Sequence, residues 1–146
     1  MSNPFDLTGK VAVVTGSSKG IGRAIVECLA SLGAKVVVSS RKKEPCEAVA
    51  AGIRANGGEA VVIPCNVSRR PEVEALVAGT NKHFGGIDVM VCNAAVNPVF
   101  GPLAKLTDEA FDKIMGANVK ATIWFANLVC PGRRGCPAQG RHDGLC

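Results

Sequence analysis

Tyrosine is absent from this 146-residue sequence, so the chain offers no phenol as a proton donor. Also missing is any apolar run near the roughly 20 residues of a membrane span, which argues against a membrane protein. The opening MSNPFDLTGK has no basic cluster leading into an apolar stretch. No secretion leader is read there, and a cytoplasmic location is expected. Strong charge is lacking too. The formal net charge is +5, and residues 130–146 carry Arg133, Arg134 and Arg141 against Asp143. A balance this mild does not point to nucleic acid. No internal repeat, low-complexity segment or linker interrupts the first 129 residues.

What is present is alternation. At 47% apolar residues the composition is that of a folded domain. Lys10 to Thr15 reads as a short β-branched strand, and Ala34 to Ser39 as a second. Between them Ile21, Ala24, Ile25, Cys28, Leu29 and Leu32 recur at helical spacing, closed by Gly33. A helix from Pro45 to Asn56, a strand from Ala60 to Pro64 and a helix from Pro71 to about Phe84 follow. A strand from Ile87 to Cys92 comes next. Thr107 is an N-cap candidate for a last helix reaching about Val129 through Phe111, Ile114, Val119 and Ile123. The order βαβαβαβα predicts an α/β fold, a doubly wound parallel sheet with helices on both faces. Cys28, Cys46, Cys65 and Cys92 lie in apolar segments and are read as small buried hydrophobes.

The first strand runs straight into TGSSKGIG, Thr15 to Gly22. A chain turning from strand to helix while its backbone approaches a phosphate needs residues without side chains, and Gly16, Gly20 and Gly22 meet that need. Ser18 and Lys19 ride in the same turn. The spacing is G-x-x-x-G-x-G rather than G-x-G-x-x-G. Ligands of open α/β sheets sit beyond the carboxyl ends of the strands. The glycine turn, Ser40-Arg41, Asn66 and Asn93 all fall there, so one crevice for a dinucleotide is expected. NAD binders place a carboxylate after the second strand. Here Ser40 and Arg41 stand in that place, and the first carboxylate is Glu44. Lys19 and Arg41 could bracket a 2′-phosphate, which favours NADP over NAD. The plainer alternative makes Arg41, Lys42 and Lys43 a solvated charge run.

TGSSKGIG, CNV (Cys65–Val67), NAAV (Asn93–Val96) and NVKA (Asn118–Ala121) together resemble the classical short-chain dehydrogenase/reductases. These are Rossmann-type oxidoreductases using NAD or NADP. Lys19 with Arg41, and NAAVNPVFG (Asn93–Gly101), look like their NADP-dependent carbonyl reductase members. The resemblance implies hydride transfer between NADP(H) and a small carbonyl or alcohol substrate, and a homo-oligomer for the intact form. It implies that Gly16, Gly20, Ile21 and Gly22 cradle the pyrophosphate. Asn66, with Val67 beside it, faces the adenine where the family usually has Asp. Asn93, Ala94 and Ala95 approach the cofactor. Asn118 is the one catalytic position carried over, a helix residue whose backbone holds a water of the proton relay.

The departure from the family lies beyond residue 129. The family's chemistry belongs to a strand-five Ser and a Tyr-x-x-x-Lys, and neither is here. Residues 1–129 read as the nucleotide-binding half of the domain, inactive alone, with its fourth strand an open apolar edge. Weak cofactor binding or aggregation is the expectation. The ending CPGRRGCPAQGRHDGLC has no helical or strand period and reads as a tail in a shifted frame. Codons for Gly140 to Cys146, displaced by one base, can spell Val-Ala-Met-Met-Val-Ser. Two other readings stay open. One is a truncated regulator that binds NADP or pairs with a full-length partner through its last helix. The other is a metal site from Cys130, Cys136, His142 and Cys146, although zinc ligands usually come in tighter pairs. The expectation is no metal.

Overall fold

The computed structural model describes residues 4–130. In chain order the elements are β1 (Val11–Thr15), α1 (Gly20–Ser31), β2 (Lys35–Ser39), α2 (Lys43–Ala55) and β3 (Ala60–Val62). They continue with α3 (Arg70–Phe84), β4 (Val89–Val91), a 3-10 turn (Leu103–Lys105) and α4 (Asp108–Met115). A π turn (Gly116–Lys120) and α5 (Ala121–Val129) end the series. The four strands pair parallel in the order β3-β2-β1-β4. This is the doubly wound Rossmann-type sheet that the alternation predicts. The tail expected to be out of frame, and with it Cys136, His142 and Cys146, lies outside the described residues. None of the described helices is long and apolar enough to cross a membrane.

Each central strand is apolar on both faces because helices cover both. On one face Ala12, Val14, Val36, Val38 and Ala60 meet Val26 and Ala30 of α1 and Val49, Ala50 and Ile53 of α2. On the other, Val13 and Val37 meet Val73, Leu76 and Val77 of α3 and Phe125 of α5. Phe125 is 1% exposed; burial of a side chain that size contributes roughly 1.5–3 kcal/mol. Pro71 sits in the first turn of α3 and Gly85 closes it in the left-handed region, φ 84°. The Thr107 hydroxyl accepts from the Ala110 amide, so the N-cap expected there is formed.

Four expectations are corrected. Only part of the apolar stripe of α1 meets the sheet: Gly22, Val26 and Ala30 are buried against it and the half-buried Ile25 and Leu29 pack on the same core, whereas Ile21 (76% exposed), Ala24 and Cys28 are exposed. The helix must lie close to β1 and β2, and the smaller residues permit that. The last helix is not continuous either: the π turn divides it. Its buried side is Ala110, Ala117, Ala121 and Phe125, while Phe111, Val119 and Ile123 are exposed. Of the four cysteines expected inside, Cys46 and Cys65 are buried but Cys28 and Cys92 are exposed. β3 and β4 are also shorter than their apolar runs, three residues each.

The thiols give a direct check. Burial, with Glu72 adding repulsion, pushes the Cys65 thiol up to about 12, so at pH 8 it stays protonated and shielded. Iodoacetamide at pH 8 followed by peptide mass mapping is expected to label Cys28. Cys46 and Cys65 should stay unmodified until denaturant is added. Equal labelling of Cys28 and Cys65 in the native chain would contradict this packing.

Candidate functional site

The β1–α1 turn is held open by geometry only glycine tolerates. Gly16 and Gly20 have φ of 67° and 58°. A Cβ on Gly22 would run into the Gly16 carbonyl and the Asn93 side-chain amide. A Cβ on Gly16 would press on Ala94 and Asn93 at 3.0 Å. The turn is therefore packed between its own helix and the end of β4. Lys19 occupies the N-cap of α1 in extended backbone with no side-chain cap bond. The first amides of α1 have no partners inside the helix and no side chain caps them, which leaves donors and a positive dipole end for an anion.

Hydrogen bonds tie the four strand ends into one rim. The Asn93 side-chain amide donates to the carbonyls of Thr15 (3.0 Å) and Gly16 (3.2 Å). The Thr15 hydroxyl accepts from the amides of Asn93 and Ala94, both at 3.1 Å, and donates to the Val91 carbonyl. The Ser17 hydroxyl donates to the Val14 carbonyl and accepts from the Ser39 amide, while the Ser17 amide donates to the Ser39 carbonyl. The Cys65 amide donates to the Ser40 carbonyl at 3.0 Å. So Gly16–Gly22, Ser40, Asn66 and Asn93 do stand together, as the sequence implied.

Further round the rim, charge collects without being neutralised. Lys19 and Arg41 are exposed, and neither belongs to an ion pair among the described residues. The Ser40 hydroxyl donates to the Lys42 carbonyl and accepts from the Cys46 thiol, so it is spent on the turn into α2. The Ser39 hydroxyl is fully buried and has no protein partner. Asn66 turns its amide oxygen back to the Ser68 amide at 3.1 Å, and its own backbone amide is held by Glu72 at 2.7 Å. Its side-chain NH2 makes no hydrogen bond among the described residues. Val67 is buried in the core, so only its backbone can reach the crevice. Ala95 is exposed on the loop after β4.

Asn118 sits in the π turn, and its side chain bonds the Val96 backbone at two points. Its Oδ1 accepts from the Val96 amide (2.9 Å) and its Nδ2 donates to the Val96 carbonyl (3.0 Å). This two-point clamp fixes the loop after β4 to the helix. A π turn interrupts the regular i→i−4 ladder, and the Asn118 carbonyl takes a long contact from the Thr122 hydroxyl, 3.4 Å. Cys92, at the end of β4, has exposed surface but a thiol sunk far enough for burial to raise its pKa, against a bond to Thr122 that lowers it.

Two contributors escape the sequence reading. Thr15 is the hub of the β1–β4 junction, although in sequence it looks like the last residue of an apolar strand. Glu72 pins Asn66 from α3; its place three residues beyond Arg69, the α3 N-cap, is the signal that could have found it. A cavity of about 1000 Å³ lies at the opposite end of the sheet, lined by Val11, Val77, Phe84, Ile87, Leu128 and Val129 among others. It does not touch the glycine turn.

Comparison with known proteins agrees with this geometry. Residues 10–136 match the family model for short chain dehydrogenases. The chain is 45% identical over 125 residues to dehydrogenase/reductase SDR family member 4 of Oryctolagus cuniculus, covering 86% of this chain and 48% of that protein. It is 44% identical to the Homo sapiens protein of the same name, covering 90% and 47%. Among solved structures, a metagenomic short-chain oxidoreductase in complex with NADP superposes with a TM-score of 0.81 at 40% identity, over 86% of this chain and 57% of that one. A short-chain type dehydrogenase/reductase from Mycobacterium marinum gives 0.81 at 34% identity. The chain spans about half the length of the curated relatives it matches. A phosphate-ready glycine turn on a parallel sheet, and these matches over most of its residues, place the chain in the short-chain dehydrogenase/reductase family of oxidoreductases.

Proposed function

We propose that this chain is the nucleotide-binding half of an NADP-dependent carbonyl reductase, and that it lacks the groups that complete the reaction. The observation that carries the cofactor reading is the unpaired cation pair Lys19 and Arg41, at a rim that has no carboxylate where an NAD binder needs one. The cradle fits a dinucleotide. Gly16, Gly20, Ile21 and Gly22 present uncapped amides to a pyrophosphate, and any side chain on Gly22 would fill the space. Arg41 and Lys19 would hold a 2′-phosphate by charge-assisted hydrogen bonds. Asn66 would offer its side-chain NH2 to the adenine. Asn93, Ala94 and Ala95 would border the nicotinamide side, and the Asn118 backbone would hold a relay water. When bound, the cofactor supplies the hydride.

The protein's own contribution is then to bind and orient. Asn93 and Thr15 lock the end of β4 to the turn, and Asn118 locks the loop after it through Val96. Such positioning survives in half a domain, whereas proton transfer to a substrate oxygen requires a group this sequence does not contain. The location we infer is the cytoplasm, and the substrate class a small carbonyl or alcohol. The reading of the chain as a regulator that captures NADP uses the same pocket and makes the same binding prediction.

Calorimetric titration tests the cofactor choice. NADPH is expected to bind with an affinity weaker than micromolar and about tenfold or more tighter than NADH, the value of one charge-assisted contact. Arg41→Glu should abolish that preference while NADH binding changes little. Equal affinities for the two nucleotides in the unaltered chain would refute the assignment.

A further inference from the structure

The turn after β3 has donors to spare and its acceptors are taken. Asn66 lies in that turn, and the Cys65 amide next to it donates to the Ser40 carbonyl at 3.0 Å, so Asn66 neighbours the β2 end that carries Arg41. Glu72 holds the turn from α3: it accepts from the Asn66 backbone amide at 2.7 Å and from Arg69 Nη1 at 3.2 Å. The Asn66 carbonyl accepts from the Arg69 amide at 2.9 Å, and the Asn66 Oδ1 from the Ser68 amide at 3.1 Å.

These bonds decide which half of the side-chain amide remains. A backbone N–H can only donate, so the atom that meets Ser68 is the oxygen. The NH2 is the half without a partner among the described residues, on a residue that is half-buried. The next backbone N–H, that of Val67, also makes no hydrogen bond among the described residues. Two successive residues thus hold unused donors, while the Asn66 carbonyl and Oδ1 are both engaged. A carboxylate at this position would put a second negative charge beside Glu72, whose Oε2 already touches the residue's own amide.

We propose that the base subsite of this crevice prefers a 6-oxopurine, so that a hypoxanthine dinucleotide binds more tightly than the adenine one, and that Asn66 sets the choice. The match is one of donors to acceptors. Adenine presents an acceptor at N7 and an amine donor at position 6, whereas a 6-oxopurine presents acceptors at both N7 and O6. Against adenine, one of the two protein donors meets the exocyclic amine and gives up its water without a replacement. Against hypoxanthine both are used. Glu72 is the positioning residue, since it fixes the backbone from which the Asn66 amide projects. This assignment rests on the crevice holding a dinucleotide with its ribose phosphate at Arg41. The sheet order β3-β2-β1-β4 then carries the ligand from the glycine turn at β1, past Arg41 at β2, to a base at the end of β3.

The test is calorimetric titration of the full 146-residue chain with NADPH, NADH and the reduced hypoxanthine counterpart of each. Within each pair the hypoxanthine form is expected to bind about two- to tenfold tighter, the value of one neutral hydrogen bond. Asn66→Asp should reverse the order, because a carboxylate keeps an oxygen for the Ser68 amide and offers the base only acceptors, which suit the adenine amine. Asn66→Ala should bring the two bases level. Circular dichroism checks that each variant folds, and the order in the unaltered chain decides the matter without them. Tighter binding of the adenine form, or equal binding of the two, overturns the base preference, as does a hypoxanthine preference that Asn66→Ala leaves intact. The phosphate comparison is read separately. NADPH binding no tighter than NADH removes the role given to Lys19 and Arg41, while the order of the bases within each pair still upholds or sinks the role given to Asn66. Binding of none of these nucleotides overturns both.

Discussion

Replacing Gly22 by alanine is expected to lower the unfolding free energy by about 2–4 kcal/mol and to remove NADPH binding, although a single methyl group is added. The new Cβ meets the Gly16 carbonyl and the Asn93 Nδ2. Neither can yield cheaply. The Asn93 amide is held by the Thr15 and Gly16 carbonyls, and the Gly16 carbonyl belongs to the turn itself. Relief requires either moving α1 off β1 or breaking the clamp that joins β1 to β4. Both open the rim on which a pyrophosphate would sit. Gly20→Ala is the control. Nothing lies within 4 Å of its Cβ, and its φ of +58° is the only obstacle, a strain of about 1–2 kcal/mol. Urea unfolding of the two variants should rank them in that order. A milder effect at Gly22 than at Gly20 would mean the close approach of α1 to the Asn93 clamp does not exist in solution.

This contrast shows what can be read without coordinates. A glycine after a strand announces a turn, and TGSSKGIG announces one shaped for phosphate. The sequence does not say which glycine is needed for backbone freedom and which for space. That depends on Asn93, more than 70 positions away. The same holds for Thr15: its hydroxyl binds two amides of the β4 end, but in sequence it is one more β-branched residue. Strand and helix order was legible because period and glycine punctuation are local properties. The facing of α1 was not, since Ile21, Ala24 and Cys28 have helical spacing whether they meet the sheet or a later segment. The break at Gly116–Lys120 was hidden for a related reason. One π turn barely disturbs an apolar period, and what positions it is the Asn118 clamp on Val96. Cys92 was misread because an apolar neighbourhood in sequence is not burial when β4, among the described residues, pairs on one side only.

The second large effect is on turnover: the 146-residue chain is expected to show no NADPH-dependent carbonyl reduction above a protein-free blank. A positioned general acid is worth roughly 10²–10⁴ in rate, and the family's is a tyrosine this sequence lacks. The side chains around the crevice do not replace it. Asn118 has its Oδ1 and an amide proton engaged by Val96 and never carries an ionisable proton. Lys19, the α1 N-cap, and Arg41, after β2, are the residues proposed to hold a 2′-phosphate, which would engage both. Cys92 is nearest the end of β4, but burial raises its thiol pKa, which makes it a poorer proton donor than a free thiol. Hydride position alone, without proton delivery, leaves the alkoxide unquenched. The assay is loss of NADPH absorbance with a panel of small aldehydes and ketones, run beside Gly22→Ala purified in the same way. That variant keeps any contaminating reductase of the host and loses this chain's cradle. Turnover present in the unaltered chain and absent from the variant would show that a proton donor exists here after all, and the reading of this chain as an incomplete enzyme would fall with it.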